Sequence, residues 1–374
     1  MASNSEWLLS SSGHEGSVEQ YLDLEKQHQA AGERHLAATA YDRAWSLNPQ
    51  DAAITSARRE LLDGMSLKLA DIVFRYIPGG SFLMGSEQGE SDEKPVHIVQ
   101  IAPFWISETP ISWVRYCEVM DWTHPPEGCP KTPVEDRKAG FHLHQENIIR
   151  LQYCEDQTLR ARDWHAHAPE HEWIRGKEKV KVKAREIFGD VLREQPDSPW
   201  EYDQKPMVAV SWQSAQEFCD RLSEQHRDYH CRLPTEAEWE KAARGGLIGA
   251  TYSWGSEPPD PDRCDFNRFD SFSIQPPRRF TPNGYGLYGM CGGVWEWTGD
   301  WYDADYYPDS PRLDPTGPAQ GKEKVLRGGS WADCAEAVTV PFRYSRQASS
   351  WHEGAWGAHY CPNIGFRVFL QDNG

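Results

Sequence analysis

Between residues 17 and 63 the apolar positions recur at helical spacing. Alanines at 37 and 44 stand where two helices would touch closely, and Pro49 closes the second of them. From Asp71 the pattern changes to short alternating runs. Ile72 to Ser86 reads as strand, glycine turn, strand, and Glu87 to Ser112 as an acidic loop, a strand and an extended segment. A helix is expected after Pro110, and Pro206 to Gln225 predicts a strand followed by an amphipathic helix, capped by Ser211, with Phe218 and Leu222 facing inward. Thr235 and Glu238 have the spacing of a capping box at the start of another helix, whose Trp239 and Ala242 face the core. Residues 137–203 interrupt this plan; 146–164 and 176–195 within them read as polar helices of an insertion.

Composition narrows the class. A length of 374 residues suits one large domain with an appendage. Seventeen Trp, 30 Gly and 26 Pro favour short strands and much irregular structure, with each indole N–H needing a partner. A formal net charge of −18 disfavours nucleic acid and anionic membrane as partners. No run approaches the roughly 20 apolar residues of a membrane span. The first 16 residues carry no secretory pattern and are expected to be disordered, and the nine cysteines include no CxxC pair, so a cytoplasmic protein with reduced thiols is expected.

Four phrases exceed what generic patterning explains: Cys231 to Gly246 (CRLPTEAEWEKAARGG), Asn283 to Tyr302 (NGYGLYGMCGGVWEWTGDWY), Val325 to Trp331 (VLRGGSW) and Pro362 to Val368 (PNIGFRV). In this order they resemble the formylglycine-generating enzyme, or sulfatase-modifying-factor, family. The resemblance implies an α+β, C-type-lectin-like domain over 71–370, carrying the 137–203 insertion. The N-terminal segment, 17–66, resembles a single tetratricopeptide repeat. One such unit cannot bury a core alone, so a helical hairpin is expected, either docked on the main domain or offered to a partner or second copy.

The resemblance also says where chemistry would lie. The family's copper-binding cysteines follow the Ser of the GGS phrase at three and eight residues. Here those positions are Asp333 and Val338, with Cys334 beside the first, so formylglycine synthesis by that route is not expected. The iron-dependent sulfoxide synthases that share the domain use a His-x3-His-x-Glu motif; the nearest string here, His167 to Glu172, has its carboxylate displaced and Pro169 inside it. A structural calcium ion is implied at Gly292, Val294 and Glu296, with Gly289 in place of a side-chain ligand, and Asn267 matching a ligand of a second site.

Residues 332–362, between two of the phrases, then become the expected ligand face. Asp333, Cys334, Tyr344, Arg346, Trp351, His352, Trp356, His359 and Tyr360 are its candidate contacts, because Trp, Tyr and Arg dominate binding hot spots. The layout also resembles the variable proteins of diversity-generating retroelements. A non-catalytic module binding a protein or peptide is the leading expectation; a divergent iron- or copper-dependent oxidoreductase is the other.

Overall fold

The computed structural model describes residues 16–120, 170–175, 178–183, 204–208, 210–268, 274–348 and 363–373. Among them are six α-helices and four β-sheets. Three helices come first: α1 (Val18–Ala30), α2 (Arg34–Leu47) and α3 (Ala52–Asp63). Ser17 and Gln20 close a capping box on α1, and Asp51 caps α3 by accepting from the N–H groups of Ala53 and Ile54. The expected two-helix hairpin is therefore one helix short. Pro49 does follow the end of α2, but Asp51 at once starts another helix.

Buried polar contacts dock this bundle on the rest of the chain. Asp42 of α2 accepts from Nε and Nη2 of Arg58 on α3, at 3.1 and 2.6 Å, and from the Tyr285 hydroxyl at 2.8 Å. Arg58 also donates to the carbonyls of Gly245 and Gly284, and Trp105 donates its indole N–H to the Met65 carbonyl at 2.8 Å. Gly284 and Gly246 cannot carry a side chain here: a Cβ would meet the Gly245 carbonyl at 2.3 Å in one case and Asp42 at 2.8 Å in the other.

The main body opens at Leu67 rather than Asp71. Strand β1 (Leu67–Leu69) pairs with β2 (Ile72–Ile77) across a turn in which Ala70 and Asp71 both have positive φ. A hairpin follows, β3 (Gly80–Met84) with β4 (His97–Ile101), and the acidic loop is its connection. Next come β5 (Phe104–Ser107) and α4 (Trp113–Val119), whose N-cap is Ser112. In the insertion, β6 (Glu170–Arg175) and β7 (Glu178–Lys183) form an antiparallel hairpin, and β7 falls within 176–195, where a polar helix is expected. Lys179 to Lys183 alternates Lys and Val, a period of two in β-branched residues, and that periodicity favours a strand. Glu170, His171 and Glu172 thus lie in a strand, and residues 167–169 of the His-rich string are outside the described residues.

The rest follows the sequence closely. Helix α5 (Trp212–Gln225) is capped by Ser211 and buries Phe218 and Leu222. Strand β8 (Tyr229–Arg232) leads into α6 (Glu236–Arg244), where the capping box of Thr235 and Glu238 is complete and Gly245 ends the helix in the left-handed region. Then come β9 (Trp295–Trp301), β10 (Glu323–Arg327), β11 (Arg343–Gln347), β12 (Ile364–Phe366) and β13 (Phe369–Asp372). One sheet runs β1-β2-β5-β13-β8 and another β11-β10-β9-β12. The chain's last strand thus lies between β5 and β8, tying both ends of the body into one sheet.

Several tryptophans fill the core and use their indole N–H groups to bond one element to another. Trp297 donates to the Val210 carbonyl at 2.8 Å, Trp212 to Thr298 at 2.9 Å, and Trp239 to the Glu296 carboxylate at 2.7 Å. That last bond connects α6 to β9. It is completed by Arg367, whose guanidinium meets both Glu296 oxygens at 2.5 and 2.8 Å, with both residues fully buried.

Candidate functional site

The GGS turn fixes one wall of the site. Gly328 and Gly329 have φ of 98° and 69°, and a Cβ on Gly329 would meet the Ala337 carbonyl at 2.6 Å. The turn delivers Ser330 against Asp333. Asp333 accepts from the backbone N–H of Ser330 at 3.0 Å and from its hydroxyl, while Asn363 donates to the Ser330 oxygen at 3.0 Å. Burial raises the Asp333 carboxyl above its usual range. Val338, at the second of the two positions, is fully buried in the core. The positions implied for a thiol pair therefore hold a bonded carboxyl and a packed aliphatic side chain. Asp333, half-buried, braces the turn.

Next to this turn lies an aromatic step. The Trp295 ring is 5.1 Å from Tyr344 and 6.0 Å from Phe342, centroid to centroid, and the Arg346 guanidinium lies 5.7 Å from the Tyr344 ring. Tyr344 is among the few large side chains substantially exposed, at 38%. Of the expected ligand contacts, Tyr344 and Cys334 are exposed and Arg346 is half-buried. Trp351, His352, Trp356, His359 and Tyr360 lie outside the described residues.

The acidic loop between β3 and β4, which sequence reading leaves without a role, forms a wall of a separate cleft. It is pinned to the body at several points. The Gly85 N–H donates to Glu240 at 2.8 Å, and Arg244 donates to the Gly85 carbonyl at 2.9 Å. Arg343 donates to the Asp92 carbonyl at 2.8 Å while pairing with Glu236 at 2.7 Å. The Tyr302 hydroxyl meets the Asp92 carboxylate at 2.7 Å. Between this loop and the 336–342 segment is a cleft of about 570 Å3, lined among others by Glu87, Glu93, Glu336 and Phe342.

Glu93 is the unusual group in that cleft. It is 2% exposed, and its Oε2 has no hydrogen-bond partner among the described residues. Burial raises its carboxyl above the usual range. The carboxylate packs directly against Gly89: a Cβ there would fall 1.7 Å from Oε2, so a larger residue would displace the Glu93 side chain. An unpaired buried carboxylate oxygen is costly, and a cation from outside would relieve it. A run of acids is legible in sequence; which one turns inward is set by the hairpin and the pinned loop.

The residues assigned to calcium do not fit that ion as a set. Both oxygens of Glu296 are taken by Arg367 and Trp239. Gly289 has no side-chain donor, and Gly292 turns with φ of 76° and donates its N–H to Gly328 at 2.8 Å, which leaves backbone oxygens such as the Val294 carbonyl as the remaining donors of the set. Asn267 is exposed and donates its backbone N–H to the Asp333 carbonyl at 2.9 Å. Among the described residues no three His, Cys, Asp or Glu side chains converge as a metal requires. Calcium added in place of a chelator is accordingly expected to leave the melting temperature unchanged; a reproducible rise would contradict this reading of Glu296.

One buried acid gives the fold a pH signature. Asp300 accepts the Glu236 N–H at 2.8 Å, and burial together with the neighbouring Glu236 pushes its carboxyl up to about 8. A carboxyl raised in the folded state holds a proton that the unfolded chain has lost. Its contribution is therefore complete below about pH 4 and is lost as pH rises through about 8. Asp300→Asn is expected to flatten the decline of stability across that interval. Urea titrations at several pH values check it, and an unchanged slope would contradict it.

Comparisons with known proteins agree with this geometry. Residues 67–371 match the sulfatase-modifying factor enzyme 1-like domain. The formylglycine-generating enzyme of Streptomyces coelicolor is 32% identical over 311 residues, covering 78% of this chain and 87% of that protein. The inactive C-alpha-formylglycine-generating enzyme 2 of Mus musculus is 30% identical over 275 residues, covering 70% and 75%. Among solved structures, Treponema denticola variable protein 1 superposes with a TM-score of 0.54 at 20% identity, over 81% of this chain and 97% of that one, a likeness that carries the fold alone.

Proposed function

We propose that this chain, which belongs to the sulfatase-modifying factor enzyme 1-like family, is a binding module that keeps the family's frame without its thiol chemistry. Its ligand is a protein segment presenting a basic side chain. The observation that carries the proposal is the buried, unpartnered Oε2 of Glu93 on the wall of the large cleft. A Lys or Arg of the ligand would supply the charge that this oxygen lacks, and the guanidinium of Arg could do so with two donors. Phe342 and Tyr344 would offer apolar and aromatic surface to the residues beside it, as hot-spot contacts commonly do. The family resemblance supports the location in so far as the thiol positions, Asp333 and Val338, belong to the same stretch of chain as Glu336, Thr339, Pro341 and Phe342, which line the cleft.

Short peptides holding a central Arg are the direct test, compared with the same peptides holding citrulline or norleucine. Measurable, Arg-dependent binding is expected. Equal binding of all three would remove Glu93 from the reading. Oxygen uptake in the presence of copper(I) and a cysteine-containing peptide tests the oxidase alternative. No uptake above that of the buffer is expected, because neither Asp333 nor Val338 offers a thiolate.

A further inference from the structure

Where the helical bundle meets the main body, two buried cations face each other without a matching acid. Arg43 of α2 is 4% exposed and Lys241 of α6 is 3% exposed. Arg43 donates through Nη2 to the Ser81 carbonyl at 2.5 Å, and Lys241 donates to the Gly80 carbonyl at 3.1 Å. Neither forms an ion pair with a carboxylate among the described residues. The nearest acid, Asp42, has Oδ1 on Arg58 and Oδ2 on the Tyr285 hydroxyl. Arg244, the third cation nearby, is matched by Glu240 at 2.6 Å. The junction therefore carries positive charge that its own acids do not neutralise.

Space and a free donor coincide with that excess. Arg43, Lys241, Ser46 and Phe82 line a cavity of about 20 Å3 at the junction. The Nε of Arg43 is buried and has no hydrogen-bond partner among the described residues. A buried cation without compensation is strongly unfavourable. Lysine can relieve this by losing its proton, and burial, with Arg43 beside it, does push Lys241 down to about 7. Arginine has no such escape, because the guanidinium stays protonated in proteins.

We infer that this cavity is a binding site for a monatomic anion, chloride in a cell, held between Arg43 Nε and Lys241 Nζ. The volume exceeds the roughly 10–15 Å3 that one water needs and is below the space a four-oxygen anion would take. The apolar side of the cavity, Phe82 and Leu83, lowers the local dielectric and strengthens the attraction. Since Arg43 comes from the helical bundle and Lys241 from the main body, the anion would join the two across the junction. This site is separate from the Glu93 cleft, and the two readings stand or fall independently.

The test is thermal unfolding of the full chain with sodium bromide replacing sodium gluconate at constant ionic strength and pH. A saturable rise in melting temperature of about 2–4 °C is expected. Lys241→Met and Arg43→Met, near-isosteric and uncharged, should each abolish the rise. No bromide response in the parent protein, or an equal response in both variants, would overturn the site. Should a variant fail to fold, a crystal grown in bromide decides. An anomalous peak between Arg43 and Lys241 supports the site, and a water or an empty cavity there overturns it.

Discussion

Replacing Arg327 by leucine is expected to lower stability by about 3–5 kcal/mol, the usual cost of leaving a buried charge without its partner. Arg327 is completely buried; both terminal nitrogens are matched, while Nε has no hydrogen-bond partner among the described residues. Nη1 serves Glu236 at 3.2 Å and the Pro341 carbonyl at 2.9 Å, while Nη2 serves Glu240 at 2.5 Å and the Val340 carbonyl at 2.9 Å. Burial alone would raise the Glu240 carboxyl, but Arg244 and Arg327 beside it hold it below its usual range. Leucine would leave Glu240 with Arg244 and the Gly85 N–H, and the Val340 and Pro341 carbonyls without this donor. A fall in melting temperature of about 10 °C is the corresponding thermal readout. Arg327→Lys should recover part of the loss, since the charge returns without the planar fork. A loss under about 1 kcal/mol for the leucine variant would show that the network is not the support described.

Glu93→Gln should separate binding from stability. If the cleft takes a basic side chain against Glu93, removing the charge costs the complex about 2 kcal/mol or more, a roughly 30-fold weakening toward the Arg-bearing peptides. The norleucine peptides should bind the variant and the parent alike. Stability should hold or rise, because an amide is less costly than an unpaired buried carboxylate. The same logic fixes the pH dependence. Burial raises the Glu93 carboxyl, so affinity for the Arg peptides should fall as pH drops through that raised value. Calorimetric titration paired with urea unfolding reads both quantities. Parallel losses in binding and stability would make Glu93 a structural residue and sink the proposal.

Much of the frame is legible in the order of the residues. Ser211 and Thr235 announce their helices because a cap is a local device: side chain and backbone lie within three residues of each other. The GGSW and NIGFR phrases mark positions that tolerate little else. Gly329 has no room for a Cβ, and Arg367 must reach Glu296 from another strand. Two departures are equally informative. The charge of residues 178–183 suits a polar helix, but their alternation with valine follows a strand. The third N-terminal helix is hard to read because Pro49 marks an end, while the restart at Asp51 depends on one short cap.

The scaffold and the loss of the thiol pair at Asp333 and Val338 follow from residue identity at spaced positions, which a sequence displays in full. The family resemblance points to a face at 332–362. Which charges have partners is a property of the packed chain. Glu296 looks like a metal ligand in sequence and is an ion-pair member in space. Glu93 is one acid among several in sequence, and in space it is the one buried with an unpaired oxygen. Arg43 and Lys241 stand nearly 200 residues apart and meet only because the helical bundle docks beside α6. Pairing between distant side chains has no local signal, because its energy depends on burial and distance, which only the packed chain supplies.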